Sequence, residues 1–324
     1  MEIAGRMQTE IISTHKIAIL LASYNGEKYI SDQLNSLLRQ TFQDYTCYIH
    51  DDGSSDQTLE IIKNIISEYP DKFCLIPGKS CGSAKENFRY LLQRVDAEFY
   101  MFCDQDDIWD ENKIEKSLTE LSKLDQSKPA CVYTDLQVVD EELQVIDKSF
   151  FHYTGLDPYK NTYKLLIVDN VCAGCTMMFN RALRNRMIDL HSKSIPVHDH
   201  EAAIIAALFG HLEYMDQRTI LYRQHKKNVL GAIEKGSMIK KGLDAVYGIK
   251  RYLQKKKEYL DRSANIAGEL LQLEGLDSEK KAFLKEFSLI RKKNKIRRMK
   301  FYYFHNLFSQ GKNKIWQLWR LLGS

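Results

Sequence analysis

The segment KIAILLASYNG, from Lys16 to Gly26, is an uninterrupted apolar run that ends in small and polar residues. Such a run is typical of a strand buried on both faces of a parallel sheet, and its polar ending is typical of the loop that leaves the strand. The residues that follow place Ile30, Leu34 and Leu37 at helical spacing. The segment therefore predicts a buried strand followed by a helix.

The same alternation continues along the chain. YTCYIH, FCLI and EFYMFC predict further strands, and QTLEIIKNIISEY and SAKENFRYLLQRV predict helices between them. Asp56 precedes the first of these helices as a candidate N-cap, and Ser83 with Glu86 forms a capping-box pattern at the second. Strands that alternate with helices predict an α/β fold, here a mostly parallel sheet flanked by helices.

Later segments extend this pattern. Residues 130–135 predict a strand, and residues 168–183 predict a strand that runs into a helix. Residues 197–210 predict a helix, and residues 219–232 predict a last strand with its loop. After Gly236 the sequence becomes basic, helical and amphipathic. We therefore predict an N-terminal extension (residues 1–15), a catalytic domain (residues 16–234) and a helical C-terminal region (residues 235–324).

Charge divides the chain in the same way. Residues 235–324 hold 22 Lys and Arg against 8 Asp and Glu, whereas residues 1–234 hold 25 against 35. With 44% hydrophobic residues the chain can bury a substantial core. Neither a signal peptide nor an apolar run of the roughly 20 residues that span a bilayer is visible. These features predict a cytoplasmic protein or one peripheral to a membrane.

Seven cysteines are scattered along the chain, most of them inside apolar runs. An odd number in such positions favours a reducing compartment. Cys172 and Cys175 form a C-x-x-C, but no second pair stands at the spacing of a zinc site. Buried small side chains are the default interpretation of this pair, and metal or redox use is the alternative.

Polar clusters follow three of the predicted strands: Ser23-Tyr24-Asn25, Asp51-Asp52 and Asp104-Gln105-Asp106. Because ligands of a parallel sheet bind beyond the carboxyl ends of its strands, we expect these clusters to form one site. The aspartates of the third cluster repel one another unless a cation or hydrogen-bond donors neutralise them. Two convergent carboxylates beside a diphosphate suit Mg²⁺ or Mn²⁺, and the alternative is an exposed acidic turn that caps the next helix.

The turn HDDGSSDQT offers a way to bind a nucleotide. Neither G-x-G-x-x-G nor G-x-x-x-x-G-K-[ST] occurs in the chain, which excludes a dinucleotide fingerprint and a P-loop. A carboxylate such as that of Asp52 can instead accept hydrogen bonds from a ring N–H or a ribose hydroxyl. The alternative is a β-turn followed by an N-cap, which Gly53 and Asp56 fit.

Five motifs together resemble family 2 glycosyltransferases of the GT-A fold, and more narrowly the bacterial rhamnosyltransferase-like members that build surface polysaccharides. The motifs are the segment from ILLASYNG to HDDGSSDQT, then FCDQDDIWDENKI, NVCAGCTMMFNRAL, HDH and YRQH, in this order between Lys16 and Ala232. The resemblance implies an enzyme that takes a sugar from a nucleotide-sugar donor, with Mg²⁺ or Mn²⁺ as its cofactor.

The resemblance also implies roles for individual residues. The S-Y-N loop and the D-D-G-S turn of the family bind the base and ribose, which implies nucleotide contacts by Ser23, Tyr24, Asn25, Glu27 and Asp52. Asp104 would lie near the ribose, and the metal site would be formed by Asp106, Asp104 and His225. The sugar and acceptor pocket would be lined by Asp107, Trp109, Asn170, Gly174, Cys175, His198, His200, Arg223 and Gln224.

The catalytic base of the inverting members is an aspartate that opens a later helix, and Asp199 is the match. The subgroup commonly has an aromatic residue where His200 or Glu201 stands, so this chain departs from the pattern there. Glu201 and His198 are competing candidates for the base. One base opposite the leaving group predicts a single displacement with inversion, whereas a retaining double displacement needs a second carboxylate, for which Glu201 is the candidate.

The C-terminal segment IRKKNKIRRMKFYYFHNLFSQGKNKIWQLWRLL interleaves Lys and Arg with Phe, Tyr, Trp and Leu. This mixture suits the anionic surface of a membrane, where a lipid-linked saccharide acceptor would lie. A packing contact, including one with another subunit of a homo-oligomer, is the alternative. Nucleic-acid binding is disfavoured because the catalytic portion is acidic. We therefore predict a cytoplasmic protein that is peripheral to the inner face of the plasma membrane.

Two other functions fit part of the pattern. A nucleotidyltransferase shares the α/β sheet and the carboxylate chemistry, but usually needs a Gly-rich basic loop after the first strand, which ASYNGEKY does not provide. A non-catalytic sugar-nucleotide-binding or scaffold module would not need Asp104, Asp106 and Asp199. By the subgroup resemblance the expected donor is dTDP-L-rhamnose, with UDP-hexoses as the alternative.

Overall fold

The predicted alternation of strands and helices is present in the computed structural model, which describes residues 11–12, 15–190, 192–225 and 247–307. The strands are β1 (Ile11–Ile12), β2 (Ile17–Ser23), β3 (Tyr45–Asp51), β4 (Phe73–Leu75), β5 (Val95–Asp96), β6 (Phe99–Asp104), β7 (Ile108–Trp109), β8 (Ala130–Val139), β9 (Val145–Asp147), β10 (Met178–Asn180) and β11 (His211–Arg223). The helices are α1 (Ile30–Leu38), α2 (Thr58–Glu68), α3 (Ala84–Arg94), α4 (Lys113–Leu121), α5 (Phe150–Thr154), α6 (Tyr163–Leu166), α7 (Arg181–Leu190), α8 (His198–Phe209), α9 (Tyr247–Leu270), α10 (Ser278–Ser288) and α11 (Lys295–Phe304).

The main sheet has the strand order β4-β3-β2-β6-β10-β8-β11-β7, with β9 paired to β8. Strands β4, β3, β2 and β6 are parallel, as predicted, and β8 is parallel to β11. The register pairs Ser23 with Asp51 and Ala22 with Asp104. The carboxyl ends of β2, β3 and β6 therefore meet at one edge of the sheet, and their polar residues lie together there.

The two faces of β2 are buried in two separate apolar clusters. Ile17, Ile19 and Leu21 pack in the cluster that includes α1, α2 and α4. Ala18 and Leu20 pack in the cluster that includes α3 and α8. Because a strand alternates its side chains between the faces of the sheet, the continuous apolar run is needed to fill both clusters.

The predicted cap of α3 is present, whereas the N-cap position of α2 is Gln57, one residue after the predicted Asp56. The Ser83 side chain accepts a hydrogen bond from Glu86 N (3.3 Å) at the start of α3. Asp56 Oδ1 accepts one from Thr58 N (3.0 Å) at the start of α2. These bonds satisfy backbone N–H groups that have no partner within the helix.

The segment 168–183 contains the predicted strand that runs into a helix, β10 followed by α7, but the strand is shorter than the segment suggests. The segment forms a 3-10 turn at Gly174–Thr176 and then the short strand β10, which is antiparallel to both β6 and β8. Before that turn the Asn170 side chain bonds to Cys172 N (3.1 Å) and Cys172 O (2.9 Å), so these backbone groups pair locally rather than in the sheet. The last strand also begins earlier than predicted, at His211.

The predicted helical character of the C-terminal region is observed in α9, α10 and α11. Side chains of all three helices belong to the same apolar cluster as α3 and α8, including Leu270, Phe287 and Phe301. The predicted boundary at 234/235 and the tail beyond Leu307 lie outside the described residues, as does most of the predicted N-terminal extension. No helix in the described ranges combines the length and apolar character needed to cross a bilayer.

Candidate active site

Asp104 and Asp106 lie where β6 ends at the polar edge of the sheet. Burial, together with the charges of Asp106 and Asp199, raises the pKa of Asp104 to about 7. Asp199 comes from α8, nearly a hundred residues later in the chain. Gly174 N bonds to Asp199, and the thiol of the next residue, Cys175, lies within 4.8 Å of an Asp104 carboxylate oxygen, so the base candidate lies close to the D-x-D turn.

The carboxylate of Asp199 is held by the segment that precedes β10. Asn170 Nδ2 donates to Asp199 Oδ1 (3.2 Å), and Gly174 N donates to Oδ2 (3.1 Å). Burial raises the pKa of Asp199 to about 6, although hydrogen bonds from the backbone N–H groups of His200 and Gly174 oppose the shift. A Cβ on Gly174 would lie 2.7 Å from His198 Nε2, so a side chain there would displace the residue next to Asp199. The base candidate is therefore fixed in position, and it is ionised near neutral pH.

Two other residues of α8 face away from this carboxylate, and both predictions for them are corrected. Glu201 is 3% exposed, and its oxygens lie 3.5 Å from Lys85 Nζ and 3.9 Å from Arg89 Nη1 on α3. His200 Nε2 lies 2.6 Å from Leu166 O, and burial lowers the pKa of its ring to about 4. Glu201 is a buried ion-pair partner rather than an alternative base, and His200 binds α6 rather than an acceptor.

His198 also has a packing role in place of the predicted contact with a sugar or acceptor. Its ring stacks on Phe88 with 3.9 Å between the centroids and meets the edge of Phe102 at 4.5 Å. Burial lowers the pKa of His198 to about 3, so the ring is neutral at physiological pH and does not compete with Asp199 as a base.

Gln105, for which no role was predicted, ties the loop after β2 to the D-x-D turn. Tyr24 N donates to Gln105 Oε1 (2.9 Å), and Gln105 Nε2 donates to Tyr24 O (3.0 Å). A Cβ on Gly26 would lie 2.2 Å from Gln105 Oε1, so Gly26 leaves the space that Gln105 fills. Tyr24 is 56% exposed, whereas Ser23 is buried and donates to Asp51 Oδ2 (2.9 Å). Ser23 and Tyr24 were both predicted to contact the nucleotide, and of these two only Tyr24 has a side chain open to solvent.

Asn25 and Glu27 join the loop after β2 to the loop after β3. Asn25, in the left-handed region at φ 48°, accepts a hydrogen bond from Ser55 N (2.9 Å) through Oδ1. Glu27 Oε2 accepts one from Gln57 N (2.9 Å) at the start of α2. Asn25 and Glu27, which were predicted to bind the nucleotide, thus hold together the loops that would surround it.

Asp52 is directed towards a third loop. Its carboxylate accepts hydrogen bonds from Ser80 Oγ (3.1 Å), from Gly82 N (3.1 Å) and from Cys81 N. With these donors the carboxylate anchors the loop between β4 and α3. The contact of Asp52 with a nucleotide stays a prediction beside this anchoring role.

Tyr29, which was not predicted as a site residue, packs on two side chains at the end of β11. Its ring centroid lies 4.9 Å from that of His225 and 4.5 Å from the guanidinium of Arg223. His225 Nε2 lies 2.8 Å from Asp106 Oδ2. Arg223 donates to Asp106 O (3.2 Å) and to Asp32 Oδ2 (3.0 Å), so its buried guanidinium supports the turn, and its contact with a sugar or acceptor stays a prediction.

Asp107, Trp109 and Cys175 were predicted to line the sugar pocket, but the structure places all three in the interior. Asp107 is 0% exposed, and its Oδ1 accepts a hydrogen bond from Arg223 N (3.4 Å). Trp109 is buried, with the fully buried Lys113 Nζ 4.7 Å from its ring centroid. Partly buried Gln224 continues the pairing of β11 with β8 through its backbone N–H. These residues support the site from the interior of the protein.

The carboxylates suit a hard divalent cation at Asp104 and Asp106. Among the described residues, one set of three potential ligands lies within 4.8 Å, namely Asp104, Asp107 and Cys175. Asp107 and Cys175 are enclosed, and a thiol is a poor ligand for Mg²⁺ or Mn²⁺, so this set does not fit such an ion. Asp104 and Asp106 are partly exposed, and their mutual repulsion is what a bound cation relieves.

We expect the Asp104→Asn variant to become more stable than the wild type as pH rises from 4 to 8 in EDTA. An unfolded aspartate loses its proton near pH 4, whereas the raised pKa of Asp104 keeps the folded state protonated to about pH 7. The folded wild type therefore loses stability across this range, and the variant lacks this loss. Urea unfolding at each pH should give a difference that grows to more than about 1 kcal/mol. A pH-independent difference would contradict the raised pKa.

Comparisons with known proteins identify a family and similar curated proteins. The model of glycosyl transferase family 2 matches residues 18–187. The dTDP-rhamnosyl transferase RfbG of Shigella flexneri is 30% identical over 230 residues, which are 65% of this chain and 74% of that protein. The UDP-Glc:alpha-D-GlcNAc-diphosphoundecaprenol beta-1,3-glucosyltransferase WfgD of Escherichia coli is 28% identical over 171 residues, 52% of this chain and 62% of that protein.

Solved structures share the fold at lower identity. The Staphylococcus aureus TarS 1-349 structure in complex with UDP-GlcNAc superposes with a TM-score of 0.57, covering 91% of this chain and 73% of that one at 18% identity. The mannosyltransferase PcManGT of Pyrobaculum calidifontis, in complex with GDP-Man and Mn2+, has a TM-score of 0.52 over 88% of this chain and 72% of that one, at 12% identity. The predicted GT-A fold is thereby confirmed.

Proposed function

This chain belongs to glycosyl transferase family 2 and is a glycosyltransferase, and we propose that it transfers L-rhamnose from dTDP-rhamnose to a hydroxyl of a lipid-linked or polysaccharide acceptor, with inversion. The acceptor class would place the enzyme in the synthesis of cell-surface polysaccharide. The observation that carries the proposal is the Asp199 carboxylate, held by Asn170 and Gly174 in the cleft that also contains Asp104.

The proposed reaction is a single displacement. The acceptor oxygen attacks the anomeric carbon, and its proton passes to the carboxylate of Asp199. The bond between the anomeric carbon and the diphosphate oxygen breaks, and the nucleoside diphosphate leaves with the electron pair. Glu201 is paired with Lys85 and Arg89, so the described cleft offers it no role as the second carboxylate of a retaining route.

The diphosphate end of the donor would bind beside Asp104 and Asp106. A bound Mg²⁺ or Mn²⁺ would supply Lewis-acid stabilisation of the charge that grows on the leaving diphosphate. Asp104 and Asp106 would hold it, and His225, beside Asp106, would complete the group or contact the diphosphate. The exposed ring of Tyr24 would pack on the base of the nucleotide.

The proposed donor is tested by a screen of activated sugars. The full chain would be incubated with Mn²⁺ and with dTDP-L-rhamnose, UDP-glucose, UDP-GlcNAc or GDP-mannose, and release of the nucleoside diphosphate would be measured. We expect dTDP-rhamnose to be hydrolysed fastest. Faster hydrolysis of UDP-glucose would replace the donor with a UDP-hexose, which the WfgD relative makes the second candidate, and would leave the reaction class intact. Failure with every donor would contradict the reaction itself.

The proposed location of the enzyme is the inner face of the plasma membrane, reached through the C-terminal region. The support is the excess of Lys and Arg after residue 234 and the lipid-linked acceptor class. We propose no nucleic-acid partner, because the catalytic part of the chain is acidic. A homo-oligomer that uses the same region is the alternative contact.

A further inference from the structure

Helix α11 presents large apolar side chains to solvent. Ile296, Tyr303 and Phe304 are 65%, 66% and 78% exposed. The opposite side of the helix fills the core, where Phe301 lies 5.7 Å from Phe283 and Tyr302 lies close to Phe287. The helix is therefore anchored by its inner aromatic residues, and its outer apolar residues have no part in that packing.

The charge around this outer side has one sign. Seven Lys and Arg residues and no Asp or Glu occur between Ile290 and Phe304. Arg291 pairs with Asp261 and Lys293 pairs with Glu286. Lys292, Arg297 and Lys300 are exposed, and none of them has an ion pair within the described ranges. Basic residues on an exposed helix with apolar side chains are the pattern of a helix that lies in a membrane interface.

The helices packed with α11 contact the segments that surround Asp199. On α9, Tyr259 Oη donates to Asp169 Oδ1 (3.2 Å), and Asp169 precedes Asn170, which holds Asp199. On α10, Phe283 packs edge-on to Tyr163 of α6 (5.7 Å), and α6 accepts the hydrogen bond from His200. A membrane bound at α11 would therefore be fixed relative to the segment that positions the base.

We propose that the outer side of α11 docks on an anionic bilayer, with Ile296, Tyr303 and Phe304 at the boundary of headgroups and acyl chains. Lys292, Arg297 and Lys300 contact anionic headgroups. A bilayer fits better than a protein partner because protein interfaces are depleted of Lys. The inference rests on the proposed function in one respect, which is the benefit of docking: a docked enzyme would keep its active site close to a lipid-linked acceptor.

The test is sedimentation of the full chain with vesicles of phosphatidylglycerol and phosphatidylethanolamine, and with phosphatidylcholine vesicles for comparison. We expect binding to the anionic vesicles that weakens with salt. The triple variant Lys292→Gln, Arg297→Gln, Lys300→Gln should bind on the order of 100-fold more weakly, since each cation near an anionic surface contributes about a fivefold factor. The triple variant Ile296→Ser, Tyr303→Ser, Phe304→Ser should lose at least about tenfold.

The matched control is the double variant Val145→Ser, Ile146→Ser, which removes two other exposed apolar side chains on β9. It should bind vesicles like the wild type. Wild-type binding by both α11 variants would overturn the proposal, as would equal binding to neutral vesicles. A change from dimer to monomer in light scattering of the α11 variants would instead assign this surface to a second copy of the chain. Donor hydrolysis measured in parallel keeps a failed docking proposal distinct from a failed enzymatic one.

Discussion

An Asp199→Asn enzyme is expected to transfer sugar about 10²–10⁴-fold more slowly than the wild type, which is the usual contribution of a positioned general base. The amide keeps the shape of the side chain and the hydrogen bond from Gly174 N, but it cannot take the proton of the acceptor hydroxyl. Donor and metal binding should survive, because neither uses this carboxylate directly. Steady-state transfer rates and calorimetric titration with the nucleoside diphosphate and Mn²⁺ would separate the two effects.

Glu201→Gln is the matched control, two residues along the same helix. Its carboxylate faces Lys85 and Arg89, so the variant should keep most of the transfer rate. It should lose thermal stability, because two cations whose side chains are only 12% and 14% exposed are left without their countercharge. A Glu201→Gln enzyme without activity beside an active Asp199→Asn enzyme would reverse the assignment of the base.

Asp106→Asn is expected to weaken Mn²⁺ binding and to lower the transfer rate by at least about 100-fold, since Lewis-acid stabilisation is worth several kcal/mol. The change removes one of the two partly exposed carboxylates and the negative charge beside His225 Nε2. Mn²⁺ affinity measured by calorimetry in the presence of the nucleoside diphosphate would report the effect without relying on turnover.

Asp110→Asn provides the control for that variant. Asp110 is an exposed carboxylate in the same stretch of chain, where it pairs with Lys116. Its loss should leave Mn²⁺ affinity unchanged. Equal Mn²⁺ binding by the Asp106→Asn variant and the wild type, or full wild-type activity in EDTA, would remove the metal from the proposed reaction.

The fold was predictable because its determinants are local. The apolar run of β2, the helical spacing of α1 and the cap at Ser83 each depend on a few neighbouring residues. The rule that ligands bind at the carboxyl ends of parallel strands then brought Asp104 and Asp51 to one edge. The short antiparallel strand β10 was not predictable in the same way, because it depends on pairing with β6 and β8, which are distant in the chain.

Many individual site roles were not predictable because motif residues that are adjacent in sequence point in different directions. Asp199 and Glu201 are two positions apart on a helix, which turns their side chains to nearly opposite sides. One therefore faces Gly174 and the other faces Lys85. Within D-Q-D-D the last residue, Asp107, is enclosed by Cys175 and other residues from elsewhere in the fold. A sequence motif identifies the turn, but tertiary contacts decide which of its members meet a ligand.

The apolar cluster shared by α9–α11 with α3 and α8 limits how the enzyme can be shortened. A truncated form that ends after β11 would uncover the side chains on which Leu270, Leu284 and Phe287 now pack. Such a fragment would expose a broad apolar surface next to α8, the helix that carries Asp199, and would tend to aggregate. Recombinant work on the catalytic half should therefore retain all three C-terminal helices, even where only donor chemistry is of interest.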